Sequence, residues 1–148
     1  MCIQLPVLQP TLSALRRPYV VCPRPQAGFP SPAGDYLEST LDLHDLLVEH
    51  PAATYYLRAA GDSMSDAHIY DGDILVVDRS RKPARGNIVI ASVQGGTSLY
   101  VKKFGVIAGK PALVSCNLAR TEDYPPIFLT EDVQVEIWGV VVGAVRKF

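Results

Sequence analysis

Residues 54–64 read Thr-Tyr-Tyr-Leu-Arg-Ala-Ala-Gly-Asp-Ser-Met, and this stretch determines how the chain is organised. Its first part, Thr54 to Ala59, is rich in β-branched and aromatic side chains, which favour a strand. The tetrapeptide Gly61 to Met64 follows at once, and the turn signal Asp71-Gly72 comes shortly afterwards. A serine that leaves a strand and enters a tight turn can hold its hydroxyl clear of the backbone, where a substrate can meet it. The pattern therefore makes Ser63 a candidate nucleophile.

The chain around this stretch is predicted to be mainly β, with one short helix before the strands. Short runs rich in Val, Ile and Tyr alternate with turn residues and predict strands at Thr54–Ala59, Ile74–Asp78, Asn87–Val93, Leu99–Phe104, Ala112–Ser115 and Val133–Val145. The last run is long enough for two strands, or for one strand bent at Gly139 or Gly143. The helix is predicted to begin after an N-cap at Asp42 and to end before Pro51. Its buried face is predicted to be Leu43, Leu46 and Leu47.

Size and charge predict one folded domain that does not bind DNA or membranes directly. The 148 residues are 48% hydrophobic, which is enough for one core. The 14 basic and 15 acidic side chains give a net charge of −1, so direct sequence-specific DNA binding and attraction to an anionic membrane are not expected. No apolar run reaches the roughly 20 residues of a membrane helix. Cys2, Cys22 and Cys116 lack disulfide or zinc spacing, which argues against a disulfide framework and a zinc site and favours a reduced cytoplasm. No metal and no cofactor are expected.

Residues 1–27 differ from the rest of the chain and are predicted to form an extended, mobile N-terminal arm. They contain five prolines, which forbid a sustained helix and cannot donate to a sheet ladder. They also carry three arginines and no acidic residue, so the arm is basic while residues 28–148 are acidic. The prolines and glycines between Ala27 and Asp35 are typical of a hinge that leads into the folded domain.

A serine nucleophile needs a base within hydrogen-bond reach, and Lys102 is the candidate. Side chains alternate across a strand, so Tyr100, Lys102 and Phe104 share one face of the predicted strand while Lys103 lies on the other. Burial beside aromatic rings would remove water from the ammonium group and lower its pKa, as a lysine base requires. From this strand alone, two solvated lysines on an edge strand remain an alternative.

At this point the sequence resembles the self-cleaving serine-lysine peptidases of the LexA and UmuD type. The matching segments run in order along the chain at spacing similar to that of the family: Ala27–Pro32, His50–Tyr55, Gly61–Met64, Asp71–Asp78, Gly86–Ala91, Val101–Lys103 and Val135–Val141. The resemblance implies the peptidase fold of that family. It also implies that Ser63 is the nucleophile, that Lys102 is the general base and that Ala27-Gly28 is the scissile bond. Backbone N–H groups near Ser63 would hold the oxyanion.

The resemblance is closer to UmuD than to LexA, because the 27 residues of the arm cannot form a helix-turn-helix domain. It implies a homodimer that removes its own arm when stimulated by the RecA filament on single-stranded DNA. The shortened product would join a UmuC-type Y-family polymerase in translesion synthesis during the SOS response to DNA damage. Cleavage within one chain and cleavage across the dimer both fit the sequence. The departures from the family pattern lie in the arm and in Ala108 to Thr130, which leaves partner specificity open.

Three alternatives remain beside this interpretation. The first is a non-catalytic, β-rich interaction module, although the presence of both Ser63 and Lys102 argues against it. The second is a signal-peptidase-like enzyme, which also pairs serine with lysine but needs a membrane anchor that the sequence does not show. The third is a Ser-His-Asp triad that uses His68, but the sequence shows no aspartate and histidine in a matching arrangement.

Overall fold

A computed structural model describes residues 2–8, 19–21, 37–40 and 42–148, with side chains from Asp42 onward. Within these ranges the chain forms one short helix and ten strands. They are α1 (Leu43–Leu47), β1 (Cys2–Leu8), β2 (Tyr19–Val21), β3 (Leu37–Thr40), β4 (Thr54–Ala60), β5 (Ile74–Asp78), β6 (Ile88–Val93), β7 (Leu99–Ile107), β8 (Lys110–Val114), β9 (Ile127–Phe128) and β10 (Val135–Val145). The prediction of a mainly β fold with one short helix is confirmed.

The chain divides into two compact units, of which one is Met1–Pro10 with His50–Phe148 and the other is Thr11–Glu49. The smaller unit holds α1 and the antiparallel pair β2 and β3. The predicted boundary between residues 27 and 28 lies outside the described residues, so the division into an arm and a domain stays a prediction. None of the helices within the described ranges has the length and apolar character that crossing a membrane would need.

The larger unit is built on one antiparallel sheet in which the strands follow the order β1-β4-β5-β10-β6-β7-β8-β9. Strand β1 also pairs with β7, and this second pairing closes six strands into a ring. In the register of that ring, Cys2 lies opposite Ala60 of β4 and also opposite Tyr100 of β7. The end of β4 and the start of β7 are therefore separated by a single strand.

Strands β1 and β2 were not expected, because the prolines of the arm argue against sheet ladders. The structure shows how β1 accommodates one of them. Its register against β4 is regular from Cys2 to Gln4 and shifts before Leu8, and Pro6 lies within the irregular part. A proline has no N–H to donate, so the ladder is interrupted around it while the pairing resumes beyond it.

Strand β10 is one long strand with local irregularities. This agrees with the predicted form in which a single strand bends at a glycine. Its register shifts between Ile137 and Gly139 against β6, and between Val141 and Gly143 against β5. A Cβ atom at Gly139 would lie 2.7 Å from the side chain of Val77 in the paired strand β5, so a larger residue would require a shift there. This close approach explains why the bend falls at a glycine.

Helix α1 has the predicted cap but not the predicted buried face. The carboxylate of Asp42 accepts a hydrogen bond of 2.9 Å from the backbone N–H of His44, as expected of an N-cap. Leu43 and Leu46 are 53% and 63% exposed, so the prediction that they are buried was wrong. A helix of five residues is too short to carry a continuous apolar stripe, and the buried side chain is that of Val48, just after it.

An ion pair near the end of the chain carries a first testable prediction. Asp73 is buried, and its two carboxylate oxygens accept hydrogen bonds of 2.6 and 2.7 Å from Arg146, whose guanidinium group also lies over the ring of Tyr70. These bonds hold the pKa of Asp73 below its ordinary value. Arg146→Ala leaves a buried carboxylate without its cation, so we expect the free energy of unfolding at pH 7 to fall by about 1.5–3 kcal/mol.

Chemical denaturation of the two proteins across pH measures this effect. A carboxyl group with a lowered pKa stabilises the folded state above its ordinary pKa, and that stabilisation is lost as the pH falls through the folded value. The difference between the wild type and Arg146→Ala should therefore shrink in acid. Lys147→Ala, which removes the neighbouring exposed cation, is the control and should change little. Equal stability of Arg146→Ala and the wild type at pH 7 would contradict the prediction.

Candidate active site

Ser63 lies in a tight turn directly after β4. Gly61 has a φ of +90°, a conformation that glycine adopts without strain, and its N–H donates to the carboxylate of Asp71 at 2.8 Å. The chain then forms a short 3₁₀ turn at Ser65–Ala67. The side chain of Met64 is fully buried in the core, and so is that of Val101, the residue before Lys102. The neighbours of Ser63 and Lys102 therefore pack into the same core cluster.

Ser63 itself has no exposed surface, which differs from the predicted position clear of the backbone. Its carbonyl oxygen accepts a hydrogen bond of 2.8 Å from the N–H of Cys116, and the buried side chain of Met64 anchors the next residue. Both contacts draw the turn inward.

Lys102 lies in β7 and is only 6% exposed, whereas Lys103 beside it is exposed. Burial lowers the pKa of the Lys102 ammonium group, because desolvation disfavours its charged form. A negative charge on Cys116 would act in the opposite direction, and its effect is the smaller of the two. The structure thus agrees with the strand-face argument that the first lysine of the pair is the buried one. The aromatic ring of Tyr124 lies beside the amine, with its centroid 5.6 Å from Nζ.

One short segment after β8 contacts both candidate residues. The Lys102 Nζ donates a hydrogen bond of 2.5 Å to the hydroxyl oxygen of Ser115. The next residue, Cys116, donates its N–H to the Ser63 carbonyl, and its own carbonyl accepts from the N–H of Asp66 at 2.8 Å. The structure therefore brings the Ser63 turn and the Lys102 amine to two consecutive residues. In the sequence, Ser115 is only the last residue of a predicted strand, and no local pattern points to a role for it.

Residues shortly after Cys116 form hydrogen bonds to Asp62, the neighbour of Ser63. Its carboxylate accepts hydrogen bonds from the Tyr124 hydroxyl at 2.6 Å and from Arg120 at 2.8 Å, and these bonds lower its pKa. Its carbonyl oxygen accepts from the side chain of Asn117 at 3.0 Å. All three partners come from Ala108 to Thr130, a segment for which the sequence predicted no role in the site. Their contribution to the site depends on tertiary contacts, and no local sequence signal could have revealed it.

A cavity of about 320 Å³ opens beside the lysine. Its lining is mostly apolar and aromatic and includes Val93, Tyr100, Lys102, Tyr124 and Ile127. A space of this size and character can take a small or medium apolar side chain next to the amine.

The remaining predicted residues lie outside this arrangement. Ala27 and Gly28 are not among the described residues, so their relation to Ser63 stays a prediction. Of the histidines, His50 bonds the carboxylate of Asp78 at 2.7 Å, and the carbonyl of His68 accepts from Arg146. Within residues 42–148, whose side chains are described, no three metal-binding groups come together.

The buried amine leads to a prediction about stability. At neutral pH the folded state must either bury the charged Lys102 ammonium or release its proton, and both cost free energy relative to the unfolded chain. We therefore expect Lys102→Met, which keeps the length and apolar character of the side chain, to raise the melting temperature by a few degrees at pH 7.

The gain should become smaller in alkali. Because the folded pKa of Lys102 is lowered, the unfolded chain binds more protons between that value and the ordinary 10.5, so the stability of the wild type rises with pH in that window. Thermal unfolding at several pH values measures the difference. Lys103→Met is the matched control for an exposed lysine, and a lower melting temperature of Lys102→Met at pH 7 would contradict the prediction.

Comparison with known proteins shows the family of this chain. The Peptidase S24-like family matches residues 18–142. The protein MucA of Salmonella typhimurium is 44% identical over 119 residues, which cover 80% of this chain and 77% of MucA. The protein ImpA of Salmonella typhimurium is 42% identical over 124 residues, covering 84% of this chain and 80% of ImpA. LexA repressor 1 of Pseudomonas syringae pv. tomato is 35% identical over 125 residues, covering 84% of this chain and 58% of the repressor. The chain therefore belongs to the Peptidase S24-like family, in which it is a UmuD-like member of the LexA and UmuD group.

Proposed function

We propose that this protein is a self-cleaving serine peptidase of the bacterial SOS response that removes its own arm at Ala27-Gly28. The observation that carries the proposal is the buried Lys102 amine, which has a lowered pKa and is joined through Ser115 and Cys116 to the turn of Ser63. A buried lysine with a lowered pKa beside a serine turn suits a general base better than a structural role. Membership of a peptidase family supports the same conclusion.

The chemistry follows from the two side chains. Neutral Lys102 accepts the proton of the Ser63 hydroxyl while the oxygen attacks the carbonyl carbon of Ala27. The resulting oxyanion is stabilised by backbone N–H groups near Ser63. When the C–N bond breaks, the Lys102 ammonium gives its proton to the amine of Gly28, which leaves. Water then hydrolyses the acyl bond between Ala27 and Ser63, and Lys102 again acts as the base.

The scissile bond has the composition that such a site needs. Alanine and glycine have small side chains, so a narrow site can admit the backbone on both sides of the bond. Glycine also leaves the neighbouring carbonyl open to attack. The flanking prolines keep the peptide extended, which is the conformation that peptidases bind.

The product would act as the accessory subunit of an error-prone translesion polymerase. The UmuD-like character of the chain supports a homodimer, a UmuC-type Y-family polymerase as partner and the RecA filament on single-stranded DNA as activator. The net charge of −1 agrees with a protein that reaches DNA through partners. The UmuD-like character also supports a location in the bacterial cytoplasm.

Intact-mass analysis of the purified full-length chain tests the proposal. The protein is incubated at mildly alkaline pH, with and without RecA, single-stranded DNA and a nucleotide. We expect the wild type to lose residues 1–27 and to yield one product that begins at Gly28. Gly28→Val, which crowds the carbonyl at the scissile bond, should slow that cleavage strongly. No cleavage even with the activating filament would overturn the proposal and would favour the non-catalytic interaction module.

A further inference from the structure

We propose that Ser115 is a positioning residue of the site, whose hydroxyl binds one N–H of the Lys102 amine and thereby directs the nitrogen lone pair at Ser63. The inference rests on the proposed function, because it assigns a role in the same cleavage. It concerns a residue outside the Ser63 and Lys102 pair.

The chemical need for such a residue comes from the amine itself. A neutral lysine amine has two N–H donors and one lone pair, and it rotates freely about the Cε–Nζ bond. It accepts a proton efficiently only when the lone pair faces the serine hydroxyl. An acceptor that holds one N–H restricts this rotation. Ser115 supplies one, since its Oγ lies 2.5 Å from Lys102 Nζ.

The position of this acceptor is fixed relative to the nucleophile. Cys116, which follows Ser115, donates its N–H to the carbonyl of Ser63 and accepts from the N–H of Asp66, both at 2.8 Å. The residue directly after Ser115 is thus bonded twice to the turn of Ser63. A shift of that turn would move the hydroxyl with it, so the geometry between the base and the nucleophile is preserved.

Most of the Lys102 side chain is shielded from solvent. The residue is 6% exposed, although a cavity opens beside it. The groups that face it are the Ser115 hydroxyl and the Cys116 thiol from the segment after β8, and the ring of Tyr124 from the next loop. Its neighbour Lys103 on the same strand is exposed. Among the described residues, the Ser115 oxygen accepts a hydrogen bond from the amine, and Ser115→Ala removes that bond from a buried group.

Self-cleavage of full-length Ser115→Ala across pH tests the inference. We expect its maximal rate at alkaline pH to fall roughly 10- to 100-fold, as for other small misplacements of a catalytic group. Ser115→Thr, which keeps the hydroxyl, should restore most of the rate, and Ser98→Ala, which removes an exposed serine, should behave like the wild type. Ser115→Cys, a substitution of similar size with a poor acceptor, should resemble Ser115→Ala.

A second measurement distinguishes positioning from a purely structural role. Titration of the Lys102 Nζ by ¹⁵N NMR, assigned by comparison with Lys102→Arg, reports the amine without requiring cleavage. A hydroxyl oxygen accepts more strongly from the charged ammonium than from the neutral amine, so the titration of Ser115→Ala should shift to lower pH. The midpoint of the cleavage profile should shift in the same direction.

Three outcomes are decisive. Slow cleavage by Ser115→Ala together with a shifted Lys102 titration supports the inference. A wild-type rate in Ser115→Ala, or an unchanged titration, overturns it while the proposed function stands. If the wild type is not cleaved even with the activating filament, the proposed function and this inference both fail.

Discussion

Ser63→Ala is expected to abolish the removal of residues 1–27. Without the hydroxyl no acyl bond to Ala27 can form, and the remaining groups can only assist a much slower attack by water. In other serine peptidases the loss of a nucleophile or its base costs about 10⁴- to 10⁶-fold in rate, and we expect an effect of that size here. In practice no product should be detected by intact-mass analysis over days.

The matched control for this variant is Ser65→Ala, two residues further along the same turn. Ser65 begins the 3₁₀ turn, and its carbonyl oxygen accepts from the N–H of His68, a contact that the substitution leaves in place. Cleavage should therefore continue in Ser65→Ala. Thermal unfolding of both variants should show that each is folded at the temperature of the cleavage assay. Persistent cleavage of Ser63→Ala would assign the nucleophile to another residue.

Several strands of the larger unit could be predicted from the sequence because they are runs rich in Val, Ile and Tyr that end at turn residues. Strands β4 and β5 have the predicted starts, and β6 and β7 differ by only a few residues. The buried position of Lys102 also followed from local pattern, since alternation along the strand separated it from Lys103. What these predictions have in common is that neighbours in the chain determine them.

The rest of the site depends on contacts between distant parts of the chain. The bonds from Ser115 to Lys102 and from Tyr124 to Asp62 join residues that no periodic pattern relates. Strand β9 has only two residues and follows Pro125 and Pro126, so it gives no strand signal of its own. Burial of Ser63 likewise results from the segment that folds against its turn.

Lys102→Ala is expected to reduce self-cleavage by roughly 10²- to 10⁴-fold, the usual contribution of a general base. The wild-type rate should rise with pH, because only the neutral amine can accept the Ser63 proton. Burial lowers the pKa of Lys102, so the half-maximal rate should lie below pH 10.5, the ordinary value for lysine. Lys102→Arg should be as slow as Lys102→Ala, since a guanidinium group keeps its proton throughout this range.

Lys103→Ala separates the role of a base from the general effect of removing a cation. Both substitutions change the net charge by the same amount, but Lys103 is exposed while Lys102 is 6% exposed and bonded to Ser115. The wild-type profile should therefore persist in Lys103→Ala and disappear in Lys102→Ala. Cleavage rates that are independent of pH in the wild type, or a rising profile that survives in Lys102→Ala, would show that another group accepts the proton. Because Lys102→Met is expected to be more stable than the wild type at pH 7, its inactivity could not be attributed to unfolding, and the loss would belong to the amine.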